Sequence, residues 1–147
     1  MKYYETELND YILNELIILS KEWEEENSTR GYFSNKESDI KGNRIFIAED
    51  NKKIIGYLFG KIEVQERDTT VYKKSEKAFE VAELFVKKEY RSKGIGKELF
   101  EYTESVIRKD VDIVLLSTAT KDYKKILHFY IDIMGMEFWS ARLFKRF

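Results

Sequence analysis

The chain contains no cysteine, no proline and a single histidine, and its net charge is only −1 over 147 residues. Without thiols it has no disulfide framework and no thiolate nucleophile. One histidine and no cysteine leave little from which to build a transition-metal site, so no metal is expected. The 26 Lys and Arg nearly cancel the 27 Asp and Glu, which removes any global attraction to nucleic acid or to an anionic membrane. Ten Tyr and ten Phe are therefore read as core rather than as base-stacking platforms. No apolar run approaches the length of a membrane span. The opening Met1-Lys2-Tyr3-Tyr4-Glu5 lacks the unbroken apolar stretch of a signal peptide. The expectation is a soluble, cytoplasmic protein forming one domain over residues 1–147, with 43% hydrophobic residues to supply its core.

Periodicity divides the chain into alternating elements. Tyr3 to Glu5 reads as a short strand. Asn9 or Asp10 can cap a helix running to about Glu26, because Ile12, Leu16, Leu19 and Trp23 recur at helical spacing. Asn27 to Gly42 is polar, a loop with one short helix. Arg44 to Glu49 and Ile54 to Val64 flank the turn Asp50-Asn51-Lys52-Lys53 and form a hairpin. Ala78 to Val86 is a strand. Ile95, Leu99, Tyr102 and Val106 mark the buried face of the next helix, and Ile113 to Ser117 reads as a central strand buried on both faces. Asp122 to Met134 is a helix closed by Gly135, and Met136 to Phe147 is expected to end in β structure, a tight hairpin around Ser140. The pattern predicts an α/β domain on one sheet.

The run Arg91-Ser92-Lys93-Gly94-Ile95-Gly96 lies between a strand and a helix. Two glycines admit close backbone approach, and free N–H groups at a helix start attract an anion. Lys87, Lys88, Arg91, Lys93 and Lys97 add positive charge; alone, they could equally be a solvated turn. A Walker loop requires Gly, four residues, then Gly-Lys-Ser/Thr, but position 91 is Arg and Glu98 follows Lys97. A dinucleotide fingerprint requires a third glycine where Leu99 stands. What remains is Arg-x-x-Gly-x-Gly after a strand ending in Val86.

The stretch Glu83-Leu84-Phe85-Val86-Lys87-Lys88-Glu89-Tyr90-Arg91-Ser92-Lys93-Gly94-Ile95-Gly96-Lys97 resembles the GNAT superfamily of N-acetyltransferases. A second match is Phe129-Tyr130-Ile131-Asp132-Ile133-Met134-Gly135-Met136. The resemblance implies a single mixed, mostly antiparallel sheet flanked by helices, with a splayed pair of central parallel strands. It implies that Arg91, Ser92, Lys93, Gly94, Ile95, Gly96 and Lys97 bind the pyrophosphate of acetyl-coenzyme A (acetyl-CoA), the co-substrate. It also implies that Leu84, Phe85 and Val86 meet the pantetheine arm through their backbone, with a bulge near Leu84 directing an N–H at the thioester oxygen. Many relatives carry Asn where this chain has Tyr123, which is expected to replace that contact to the cofactor.

The implied reaction moves the acetyl group of acetyl-CoA to a primary amine by direct attack in a ternary complex. An alkyl ammonium has a pKa of about 10.4 and must lose its proton first. Glu83 is the candidate base, with Glu80 further along the strand as the weaker option and a hairpin-paired surface glutamate as the structural alternative. Tyr130 matches the family position of the acid that protonates the departing thiolate; packing in the core is its alternative. Trp23, Glu25, Tyr32 and Phe33, beside Glu22, Glu24 and Glu26, would suit a cationic small-molecule or peptidyl amine, or form a solvated acidic helix end. The other function left open is a non-catalytic acyl-CoA-binding or sensing module. His128 falls on the polar face of the last helix and is expected to be exposed. Only twelve residues follow Gly135, so the final strand is short or is completed by a second copy in a homodimer.

Overall fold

The computed structural model describes residues 1–147. The chain runs β1 (Lys2–Thr6), α1 (Asp10–Glu26), α2 (Glu37–Ile40), β2 (Arg44–Asp50), β3 (Lys53–Val64), β4 (Lys77–Val86), a single 3₁₀ turn at Lys88–Tyr90, α3 (Ile95–Ile107), β5 (Ile113–Leu115) and α4 (Tyr123–Leu127). A π-helical turn, His128–Ile133, continues α4. The strands form one α/β sheet in sequence order, antiparallel except for the parallel pair β4–β5. No helix is long and apolar enough to cross a membrane.

The capping of α1 follows its sequence. Asn9 accepts a hydrogen bond from the Ile12 N–H at 2.9 Å, and Asn27 ends the helix in the left-handed region at φ 50°. Ile12, Leu16 and Leu19 then bury one face of α1 against Ile45, Ile47, Tyr57, Phe59 and Phe85 of the sheet. The opposite face of the sheet packs on α3 and the π turn through Phe46, Leu58, Phe79, Leu99, Phe100 and Tyr130. Full burial of each such large side chain is worth about 1.5–3 kcal/mol, so the sheet holds two cores, one on each face.

A bulge in β4 decides what each face carries. Phe59 pairs with Glu83 but Gly60 pairs with Val81, which leaves Ala82 as the extra residue. Phe79 and Val81 belong to the α3 side, whereas Glu83 and Phe85 are turned to the α1 side. Gly60 accommodates the distortion, because a Cβ there would collide with the Glu80 carbonyl oxygen. The bulge lies two residues before the expected place near Leu84. Parallel pairing with β5 covers only Ala78, Phe79 and Glu80, so β4 has no β5 partner from the bulge to Val86.

Three expectations are corrected. The strand expected over Ile113–Ser117 is three residues long and only half buried, because no neighbour covers its outer edge. The last helix is α-helical for one turn and then widens, with the Met134 N–H donating to the Phe129 carbonyl at 2.9 Å. No strand forms after Met136: the segment makes no backbone hydrogen bond to a neighbour and is held by Trp139 edge-on to Tyr72 at 5.9 Å and by Arg30 over Phe144 at 5.1 Å. Its apolar Leu143, Phe144 and Phe147 stay exposed, so there is no burial to offset the ordering of a hairpin.

Candidate active site

The turn between β4 and α3 presents a run of free backbone donors. The N–H groups of Ser92, Lys93, Gly94, Ile95, Gly96 and Lys97 make no hydrogen bond within the protein, and the first helical bond is Glu98 N–H to Gly94 O at 2.9 Å. Ser92 and Gly94 sit at φ 61° and 84°, which curls these donors toward one side. Gly94 is needed for its left-handed backbone. Gly96 is different: a Cβ there would meet Phe129 only at an ordinary 3.7 Å, so packing alone does not require glycine.

The side chains around this turn behave differently from the expectation. Arg91 is engaged: its Nη2 donates to Glu26 at 2.6 Å, its Nε to the Val86 carbonyl at 2.7 Å and its backbone N–H to Lys88 O at 3.2 Å. The guanidinium also lies 5.2 Å from the centroid of the Phe85 ring. Lys87 bridges to Glu22 and Glu89 at 3.5 Å each, and Lys97 to Glu101 at 3.5 Å. Lys93 sits over Tyr90 with no ion pair. The acidic end of α1, unfavourable against the helix dipole by itself, thus neutralises the basic turn. Glu22 and Glu26 are occupied there.

Glu83 stands beside the bulge, at the start of the β4 stretch that lacks a β5 partner. Its Oε2 accepts hydrogen bonds from Tyr57 Oη at 2.7 Å, Asn35 Nδ2 at 2.8 Å and Tyr32 Oη at 3.3 Å. Its Oε1 has no partner within the protein. Asn43 Oδ1 is the one buried side-chain polar atom left unsatisfied, so Glu83 Oε1 is open to solvent. Burial raises the Glu83 pKa above the ordinary carboxylate value; the three hydrogen bonds oppose the rise and the charge of Asp39 adds to it. Glu83 lines a cavity of about 790 Å³ together with Glu24, Tyr32, Phe33, Asn35, Lys36 and Asp39. Lys36 is the one cation among these lining groups, so an incoming ammonium meets mostly negative charge.

Tyr130 stands on the π turn with its ring buried and edge-on to Phe100 at 6.1 Å and Phe129 at 5.1 Å. Its hydroxyl makes no hydrogen bond within the protein and, by the same reasoning as for Glu83 Oε1, is open to solvent. Burial raises its pKa to about 12, so it stays protonated across neutral pH.

The model of the acetyltransferase (GNAT) family matches residues 9–136, most of the chain. The chain belongs to this family of GNAT acetyltransferases. Among solved structures, BH1408 protein from Bacillus halodurans (a tetramutant) superposes with a TM-score of 0.74 at 21% identity, covering 100% of both chains. An aminoglycoside acetyltransferase from an uncultured soil metagenomic sample gives 0.69 at 19% identity, covering 99% of this chain and 95% of that one. Aminoglycoside N-acetyltransferase AAC(6')-Iy in complex with CoA gives 0.66 at 17% identity, covering 99% and 98%. At these identities the likeness is one of fold. No curated protein sequence matches significantly.

Within this GNAT frame the predicted site residues separate. Glu83, Tyr32 and Phe33 share the cavity. Trp23 does not line it: it is stacked behind Tyr32 at 4.1 Å and on Phe85 at 5.5 Å, with Nε1 donating to Thr29 Oγ1 at 3.0 Å. Glu25 points elsewhere and Glu24 takes its place, because one residue rotates the side chain by about 100° around a helix. Leu84 packs against the α3-side core, and Phe85, Val86 and Ile95 are buried. Tyr123 begins α4 with its side chain exposed. His128 is exposed and pairs with Asp132 at 2.8 Å. Glu80 lies in the paired part of β4, opposite Lys61. Asn35, Tyr57 and Asp39 were missed; Tyr57 lies opposite Phe85 in the β3–β4 register and so diagonal to Glu83, a pairing that the apolar run Ile54–Phe59 does not reveal by itself.

Proposed function

We propose that this GNAT acetyltransferase is an N-acetyltransferase that moves the acetyl group of acetyl-CoA to a primary amine held in the cavity at Glu83. The observation that carries this reading is the placement of two unlike sites along one strand. A run of free N–H groups, Ser92 to Lys97, follows the end of β4, and a carboxylate with one open oxygen stands three residues before Val86.

Acetyl-CoA supplies the acetyl group as a thioester. The chain's residues fit it: the Ser92–Lys97 donors and Lys93 suit a pyrophosphate, and the edge of β4 that lacks a β5 partner beyond the bulge suits an amide-bearing arm. Glu24, Asp39 and Glu83 draw an ammonium into the cavity, and Tyr32 and Phe33 supply aromatic faces. Glu83 takes a proton from the ammonium, and the nitrogen lone pair then forms the new bond to the acetyl carbon while the carbon–sulfur bond breaks. The raised pKa of Glu83 makes it a better base than an exposed carboxylate. Tyr130 gives its hydroxyl proton to the departing sulfur. The amine nitrogen loses its second proton to solvent as the amide forms, and solvent returns a proton to Tyr130 and removes the one on Glu83. No covalent enzyme intermediate forms, so the lack of cysteine is no obstacle.

A thermal-shift comparison of acetyl-CoA, NAD and ATP, followed by thiol release with a panel of primary amines, tests the reading. Stabilisation by acetyl-CoA alone and acetylation of at least one amine are expected. Stabilisation by acetyl-CoA without turnover of any amine would favour an acyl-CoA-binding module instead.

A further inference from the structure

The cavity contains more order than a base alone requires. Three donors from two separate segments converge on the same oxygen of Glu83, and each is fixed by its own neighbours. Tyr57, fully buried, is stacked on Phe59 at 5.5 Å and tilted against Phe85 at 5.9 Å. Tyr32 is held by its stack on Trp23. Asn35 is buried, and its backbone N–H donates to Ser20 Oγ at 2.9 Å, while that hydroxyl donates to the Ile17 carbonyl at 2.8 Å. No Lys, Arg or His forms an ion pair with Glu83. A buried carboxylate serving the fold alone gains most from a cation or from donors on both oxygens. Here all three donors converge on Oε2 and Oε1 is left open.

We propose that Tyr57, Asn35 and Tyr32 are positioning residues that pin Oε2 of Glu83 and so hold Oε1, ionised, toward the acceptor amine. The inference rests on Glu83 being the base. Preorganised donors cost no reorganisation at the moment of reaction. They also oppose the effect of burial: each donor stabilises the carboxylate and lowers its pKa, so removing one moves the pKa up. The other charged groups at Glu83 are Asp39 of α2, Glu24 of α1 and Lys36 of the intervening loop; the tyrosines from the loop and β3 stay protonated, since burial and the Glu83 charge raise both pKa values. Trp23, one layer behind, supports Tyr32.

The test follows Glu83 directly and through the reaction. The Glu83 carboxyl-carbon NMR shift, assigned by its loss in Glu83→Gln, is titrated in isotope-labelled parent protein, Tyr57→Phe and Tyr32→Phe. The acidic limb of kcat/KM is measured in parallel with an amine that the parent acetylates. Both replacements keep the ring, and Tyr32 is only half buried, so the second variant remains informative should the first lose its fold. The titration midpoint is expected to rise by roughly one pH unit when a donor is lost, about tenfold in the ionised fraction below the midpoint, with the kinetic limb moving equally. Affinity for acetyl-CoA stays at the parent value. An unmoved midpoint in a folded variant, or activity reduced by the same factor at every pH, overturns the positioning role. A midpoint that moves without the kinetic limb leaves the donors' hold on Glu83 intact and instead overturns the assignment of Glu83 as base.

Discussion

Between Ser92 and Lys97 six consecutive backbone N–H groups stand free, while around Glu83 the polar atoms are side chains collected from α1, the following loop, α2, β3 and β4. The first region depends on conformation: two glycines, a helix start and a strand end. Its side chains are largely spoken for, with Arg91 tied to Glu26 and Lys87 to Glu22. The second depends on side-chain identity and on the β4 bulge that turns Glu83 to the α1 face. A site made of backbone should tolerate most side-chain changes and fail when a Cβ intrudes. A site made of converging side chains should do the reverse.

Glu83→Gln gives the largest expected separation between the two. Loss of a general base costs roughly 10²–10⁴-fold in kcat/KM for the amine, while calorimetry should give the parent affinity for acetyl-CoA. Gly96→Val should act on the other region: KM for acetyl-CoA rises ~10- to 100-fold as charge-assisted N–H contacts are blocked. Gly94→Val should add a loss of about 1–2 kcal/mol in stability, because its φ of 84° is left-handed. Tyr130→Phe should lower kcat by roughly tenfold to a hundredfold, at or below the low end for acid–base catalysis. A phenol held at about 12 is a weak donor to a sulfur whose thiol pKa is about 8.5. The smallest effect is expected of Glu26→Gln. Freeing Arg91 removes a competitor for the phosphates, and affinity for acetyl-CoA should rise about threefold in low salt, within the range for a partly exposed ion pair.

The same contrast explains what could be read in advance. The turn was legible because its determinants are contiguous: Gly94, Gly96 and the helix start that follows. So were the Asn9 cap and the apolar stripe of α1, which depend on residues a few positions apart. The cavity was not, because nothing local links Asn35 or Asp39 to Glu83. Their meeting depends on the path of the loop after α1 and on a one-residue bulge at Ala82. Tyr57 was hidden inside the apolar run Ile54–Phe59 and reads as core until the hairpin register is known. The engagement of Glu22 and Glu26 at the acidic end of α1 was not legible, because their partners, Lys87 and Arg91, each lie sixty-five positions later in the chain. The C-terminal segment misled in the opposite sense: Trp139, Ala141 and Leu143 alternate as in a strand, but no neighbouring backbone pairs with them.

Calorimetric titration of acetyl-CoA into the parent, Glu83→Gln and Gly96→Val proteins, with their melting temperatures, tests the central claim most directly. Glu83→Gln is predicted to bind like the parent. Gly96→Val is predicted to remain folded at the assay temperature and to bind at least tenfold more weakly. Parent-like binding by Gly96→Val, or equal weakening in both variants, would contradict a donor grip built from backbone and separate from the Glu83 cavity.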